Sequence, residues 1–194
     1  MKIVTIILVV IIVVFAFAQI YFMLLQRNIE SYPYTVKKKY DRFEIRKYEA
    51  TLFTSVTLTS KGYKNTSSQG FSILAGYIFG KNDRKEKISM TSPVSMSLDD
   101  STTMMFMVPK KLHKETLPKP EQSGIEFKEE PAKLLAAISF GGWANDAKIE
   151  KYKQELKAAL DAQGIAYSNK FYFFGYNAPF EVFNRKNEVL VELQ

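Results

Sequence analysis

The chain has 194 residues, a formal net charge of +7, 14% aromatic residues, no cysteine and a single histidine, His113. The absence of thiols excludes disulfides, thiolate nucleophiles, cysteine-bound zinc and iron–sulfur clusters, and one histidine excludes a multi-histidine metal site and argues against a histidine-based triad. The positive charge is scattered, with Lys37-Lys38-Lys39 as the only run and no basic recognition helix, so it reads as a solvated surface and no nucleic-acid partner is expected.

Ile3 to Leu25 is almost continuously apolar, interrupted only by Thr5 and Gln19. At about 1.5 Å per residue such a stretch reaches the roughly 30 Å of a bilayer core. Ala16-Phe17-Ala18 resembles a signal-peptidase site, yet Ile20 to Leu25 stays apolar beyond it, with Tyr21 and Phe22 near the expected interface. An uncleaved single-pass membrane anchor over residues 1–26 is therefore expected, with a cleaved signal peptide, and a secreted or periplasmic domain, as the alternative. Orientation signals conflict. Arg27 and Lys37 to Lys39 outnumber Lys2, which favours a cytoplasmic domain, whereas a very short N-terminal tail commonly stays inside. Residues 27–33 read as a polar spacer, and the folded domain is expected over 34–194.

Tyr40 to Leu58 carries two strand-like runs around Tyr48-Glu49-Ala50. Gly62 marks a loop, and Asn65-Thr66-Ser67-Ser68 supplies candidate helix caps. Phe71, Leu74, Ala75 and Ile78 then recur at i, i+3, i+4 and i+7, one face of a helix that Ile73, Tyr77 and Phe79 widen and Gly80 ends. Lys81 to Lys87 is solvent-facing by composition. Ile88 to Met96 reads as a strand whose Pro93 suits an edge or a bulge. Leu98 to Thr102 is a turn with the paired carboxylates Asp99 and Asp100, and Thr103 to Val108 is a further strand. Pro109 to Gly124 looks like a connector.

The pattern then begins again. Ile125 to Leu134 aligns on Phe43 to Leu52 without a gap: Glu44 matches Glu126, Arg46 matches Lys128, Ala50 matches Ala132, Leu52 matches Leu134 and, further on, Val56 matches Ile138, a constant offset of 82 positions. A second helix follows, with Asn145 as N-cap, Asp146 at its positive start, the stripe Ile149, Tyr152, Leu156, Ala159 and Leu160, and Gly164 as its stop. Lys170 to Tyr176 and Glu188 to Leu193 are strands, and Pro179 falls where Pro93 falls in the first half. The expected fold is α+β: a β-α-β-β unit used twice, giving a curved antiparallel sheet or barrel with both helices packed against it. A duplicated unit places a groove at its pseudo-two-fold junction, a favoured place for a ligand.

These residues carry a family resemblance. Tyr40 to Tyr48, Gly70-Phe71 to Gly80-Lys81-Asn82, Ile88-Ser-Met-Thr-Ser-Pro-Val94, Phe140-Gly-Gly-Trp143 and Asn184-Arg-Lys-Asn-Glu-Val189 together resemble the SOUL haem-binding protein family over about Tyr34 to Leu193. The resemblance implies an eight-stranded barrel with two helices built from duplicated halves, and binding of haem or another tetrapyrrole with no general enzymatic reaction. It also implies site residues. Some members use an axial histidine directly after the Arg of the E-x-R-x-Y strand, a position held here by Lys47. Others are thought to hold haem by hydrophobic contact with the first helix, which points to Phe71, Leu74, Ala75 and Ile78. The basic positions that meet the propionates in such members fall at Ser68, Gly76 and Glu181, none of them basic.

Other residues have two readings each. Met90, Met96, Met104, Met105 and Met107 could ligate haem iron through sulfur or fill apolar space. Tyr40, Tyr48, Tyr77 and Tyr176 pack as half-buried aromatics or act as ligands. His113 is expected to be an exposed loop residue, and Gly141-Gly142-Trp143 a close backbone approach or a bulge. The expected function is a membrane-anchored, non-enzymatic binding protein for haem or a porphyrin-like molecule, with no catalytic residues and no metal site of its own. The alternatives are a non-haem small-molecule binder, or an interaction scaffold whose cleft is filled by its own side chains. An enzyme would need a buried carboxylate in the cleft, for which Glu44 and Glu126 are the candidates.

Overall fold

The computed structural model describes residues 2–26, 29–60, 62–99, 101–178 and 181–194, without the side chains of residues 20 and 22–26. Arg27, Asp100 and Pro179 lie outside the described residues. The apolar N-terminal stretch forms one helix, α1 (Lys2–Gln26), apolar all round because it has no polar stripe to turn to water. Its large side chains from Ile3 to Phe17 are exposed, whereas Ala18 and Gln19 are half-buried against the rest of the protein.

Residues 30–32, polar by sequence, are already part of the fold. A two-residue strand β1 (Glu30–Ser31) pairs in parallel with β5 (Thr91–Ser92), and Tyr32 donates its N–H to the Ser92 carbonyl at 2.9 Å and is buried. The remaining strands are β2 (Tyr34–Lys39), β3 (Glu44–Tyr48), β4 (Thr51–Leu58), β6 (Val94–Ser97), β7 (Thr102–Met107), β8 (Ile125–Glu130), β9 (Lys133–Gly141), β10 (Tyr167–Gly175) and β11 (Lys186–Leu193). They form one curled, fully antiparallel sheet in the order β2-β3-β9-β11-β10-β6-β7-β4-β8. Without β2 this order is a palindrome of the two repeats, with the pseudo-two-fold between β6 and β10. The offset of 82 survives in the register. Glu44 pairs with Ala137, and its repeat mate Glu126 pairs with Ser55, the mate of Ala137. The first strand of each unit thus pairs with the long strand of the other, so neither half completes its sheet alone. The strand beyond the expected eight is β2, an exposed edge whose Lys37-Lys38-Lys39 run blocks further pairing.

Alternation along the strands separates two cores. One face takes both helices, α2 (Tyr63–Ile78) and α3 (Asp146–Ala162). There Leu74, Ile78, Leu156 and Leu160 meet Met104, Phe173, Val189 and their neighbours. The other face lines the inside of the curl with Tyr48, Phe53, Met105, Leu135, Tyr172 and Phe174. Tyr32 fills it, its ring 4.6 Å from Tyr48 and 5.1 Å from Phe53, leaving a void of only about 10 Å³. A buried ion pair crosses this face. Arg46 Nη1 donates to both oxygens of Glu188 at 2.9 and 3.0 Å, while Ser139 and Tyr176 hydroxyls donate to the same carboxylate at 2.8 and 2.6 Å. Burial alone would raise the Glu188 carboxyl, but the hydrogen bonds and charge of Arg46 outweigh it and hold it below the usual carboxylate range.

Three local expectations differ from the structure. Asn65 to Ser68 lie inside α2 instead of capping it. The cap comes from the other repeat: Asp146 accepts from the backbone N–H of Tyr63 at 2.5 Å and of Lys64 at 3.1 Å. The Lys81–Lys87 loop has a buried centre, because Asn82 donates to the Tyr77 and Glu86 carbonyls and accepts from the N–H groups of Arg84 and Glu86. Pro93 sits in the break between β5 and β6, outside the ladder, which lets β6 lie in the middle of the sheet.

Candidate functional site

On the helix-bearing face α2 packs on β4 and β7 and α3 on β9 and β11, with a lighter contact to β10, so the β6–β10 seam at the pseudo-two-fold lies between the two helices. A cavity of about 310 Å³ lies between α2 and the strands beneath it. Its floor is Val94, Met96, Met104 and Phe173, and its helical wall is Ser68, Phe71 and Ser72. The period-2 pattern of the strands and the i, i+4 spacing of α2 aim these side chains into one space. At Tyr63 and Met96 the cavity adjoins a wider groove of about 570 Å³ that runs past Asp146, Glu150 and Lys153 of α3. Burial raises the Tyr63 hydroxyl above its ordinary range, with Arg185 opposing and Asp146 adding to the effect, so Tyr63 stands there neutral.

Trp143 and Arg185 stand at the other end. The Arg185 guanidinium lies 3.9 Å from the Trp143 ring centroid, a cation–π stack, and its Nη1 donates to the carbonyls of Ala178 at 2.9 Å and Glu181 at 2.5 Å. Its Nε is buried without a partner among the described residues. Asn187 ties the Gly141–Trp143 turn to β11 by donating to the Gly142 carbonyl at 2.8 Å. Asn177 accepts from the Lys186 N–H at 2.7 Å and donates to the Glu181 carboxylate at 2.7 Å. The rim is therefore a cross-braced unit bearing one guanidinium over an apolar floor.

Of the residues singled out from the sequence, Phe71 lines the cavity, with its ring 5.4 Å from Phe106. Leu74, Ala75 and Ile78 turn inward and are buried in the helix–sheet core. Lys47 is exposed on β3 and does not line the cavity. Ser68 stands on the cavity wall, Gly76 lies under the Lys81 stem, and Glu181 is buried on the rim loop. Among the methionines, Met96 and Met104 reach the cavity, while Met105 and Met107 face the inside of the curl. Tyr48 and Tyr176 belong to the Arg46–Glu188 network, Tyr77 donates to the Pro118 carbonyl at 2.9 Å, and Tyr40 stacks on Phe43. His113 is exposed; Glu126 is exposed, and Glu44 pairs with Arg46. Trp143, Arg185, Asn177 and Asn187 were not legible as cavity-lining residues. The Gly-Gly-Trp and Asn-Arg-Lys-Asn segments carried all of them but Asn177, and only the β9–β11–β10 pairing brings those segments together.

A family model described as SOUL heme-binding protein matches residues 29–192. Heme-binding protein 2 of Mus musculus is 30% identical over 156 residues, covering 76% of each chain. Heme-binding protein 1 of Sus scrofa is 25% identical over 174 residues, covering 84% of this chain and 92% of its own. Among solved structures, the EcmrR C-terminal domain superposes with a TM-score of 0.62 at 10% identity, over 79% of this chain and 97% of its own. A hydrolase encoded by lin2189 from Listeria innocua does so with 0.55 at 12% identity, over 86% and 100%. At those identities the two structures speak to the fold alone.

Proposed function

The chain belongs to the SOUL heme-binding protein family, and from that premise we propose that the cleft between α2 and the β6–β10 seam binds haem or another flat tetrapyrrole, in a protein held at a membrane by α1. The observation that carries this is the pairing of an apolar floor with one cation at the rim. Phe71, Val94, Met96, Met104 and Phe173 suit the faces of a macrocycle, and Arg185 suits its carboxylates. Haem would supply its iron as the reactive centre, and this chain's residues would bind and orient it. The volume is at the lower end of the roughly 300–1,000 Å³ of small-molecule sites, so a plate-shaped ligand would bury one part and leave its carboxylates at the rim.

This is a binding role and not a reaction. Arg185 takes over the positive charge that the family pattern would put at Glu181, four residues earlier on the same loop. The non-basic Ser68, Gly76 and Glu181 favour a second reading, in which the same cleft takes a less anionic apolar molecule. Titrating hemin into the full chain in detergent, followed at the Soret band, tests the proposal. Saturable binding at micromolar hemin is expected, with Arg185→Ala weaker by about 10- to 100-fold, as loss of a charge-assisted contact worth about 1.5–3 kcal/mol predicts. An unsaturable, linear response would overturn it.

A further inference from the structure

We infer that the rim of the cleft is a bilayer-docking surface: Val182, Phe183 and Trp143 sit at the headgroup–acyl boundary of the membrane that α1 spans, so that the cleft opens onto lipid. The inference rests on α1 being a membrane span. It commits to a phospholipid surface as the occupant.

Three observations lead there. The first is an exposed apolar cluster. Val182 is 45% exposed, Phe183 57% and Trp143 54%, whereas most large apolar side chains of the globular part are buried. The Arg185 guanidinium joins them into one unit by stacking on Trp143 while bonding the carbonyls of Ala178 and Glu181. The second is a contact with α1. Gln19 accepts a hydrogen bond from the Val182 N–H at 3.2 Å through its side-chain oxygen, and half-burial of α1 begins at Ala18 and Gln19. If the hydrocarbon core begins at Ile3, its ~30 Å are filled by about 20 residues and end near residue 22. Gln19 then lies about 5 Å inside the boundary, by the ~1.5 Å rise per residue. The Val182 backbone must share that depth, where an amide needs a partner from the protein, and Gln19 provides one. The third is chemistry. A Trp, a Phe and a Val beside cations are the residues that settle at this boundary, with apolar bodies down and charges toward headgroups. Arg185 and Lys148 flank the cluster; Lys148 donates to the Gly141 carbonyl at 2.6 Å.

Trp143 and Arg185 also line the cavity. A sparingly water-soluble ligand dissolved in the bilayer would therefore meet the cleft at the membrane surface.

Trp143 is the only tryptophan, which makes it the probe. The full chain, without hemin, is reconstituted into phosphatidylcholine–phosphatidylglycerol vesicles carrying bromines high on the acyl chains. Trp143 is expected to lose most of its emission to the bromines and to be shielded from aqueous iodide. A Val182→Asp, Phe183→Asp double variant is expected to float with the vesicles but to lose the quenching, with its thermal melt checking the fold. A chain that floats while Trp143 stays bright and open to iodide would overturn the docking and leave the anchor standing. Quenching that persists in the double variant would overturn the role of the loop. Failure of the full chain to float would overturn anchor and docking together. Hemin is absent throughout, so none of these outcomes depends on whether the cleft binds haem.

Discussion

Arg185 holds two things at once, the Trp143 ring and the carbonyls of its own loop, while it lines the cavity. A lysine would keep the charge and lose the planar stack and the fork, so Arg185→Lys should recover only part of the hemin affinity lost in Arg185→Ala, measured by the same Soret titration. Ser68 offers the converse test. It lines the cavity where the family pattern is basic, and Ser68→Lys should tighten hemin binding and make it more sensitive to salt. Glu188 pairs with Arg46 on the inside of the curl and does not line the cavity. Removing its side chain leaves Arg46 buried and uncompensated, so Glu188→Ala should cost about 3–5 kcal/mol in a denaturant melt. The same carboxylate sets the acid response. Glu188, Glu130 and Glu192 are all held below the ordinary 4.5, so between the folded and unfolded values the unfolded chain binds more protons. Stability is therefore present above pH 4.5 and is lost as pH falls below it; Glu188→Gln should flatten that slope. The place of Phe71 on the cavity wall was legible because helical periodicity and the family pattern both pointed at it. The inward turn of Leu74, Ala75 and Ile78 was not, since a wide apolar face does not reveal which edge the sheet will cover.

The helices show how far one repeat depends on the other. The N-terminus of α2 has no side-chain cap of its own, and Gly62 precedes it at a φ of 85°. Asp146, at the start of α3, reaches across and accepts from its first two N–H groups, while Asn145 caps α3 itself through the Lys148 N–H at 2.8 Å. One carboxylate thus sits among the positive ends of both helices. Asp146→Ala should destabilise the protein by about 0.5–2 kcal/mol and speed hydrogen exchange selectively at the amides of Tyr63 and Lys64. The two strand pairs, the helix and its glycine stop could be read from sequence in both halves, because period 2, period 3.6 and the 82-residue offset agreed. The start of α2 was missed because its cap is a tertiary contact between residues 83 positions apart, invisible to any local pattern.

At the scale of the molecule the curled sheet divides its labour between its faces. The inside is closed, filled by Tyr32 and knotted by the Arg46–Glu188 pair. The outside carries the helices, each packed mainly on two strands to one side of the β6–β10 seam, with the cavity between α2 and that seam. The duplication was legible as soon as Glu44 to Leu52 was laid on Glu126 to Leu134, and a groove at its junction followed from it. The cation that completes the groove was not, because Arg185 comes from a loop the repeat does not duplicate. The most direct measurement of whether the seam is the ligand site is a Soret-monitored hemin titration of three full-length chains: wild type, Ser72→Trp, which places an indole in the cavity from the exposed side of α2, and Lys47→Ala, on exposed β3. Saturable binding that Ser72→Trp weakens by about tenfold or more, a loss of at least about 1.4 kcal/mol, and that Lys47→Ala leaves unchanged is the predicted result. Binding that survives Ser72→Trp intact but collapses with Lys47→Ala would place the ligand on β3 and contradict it.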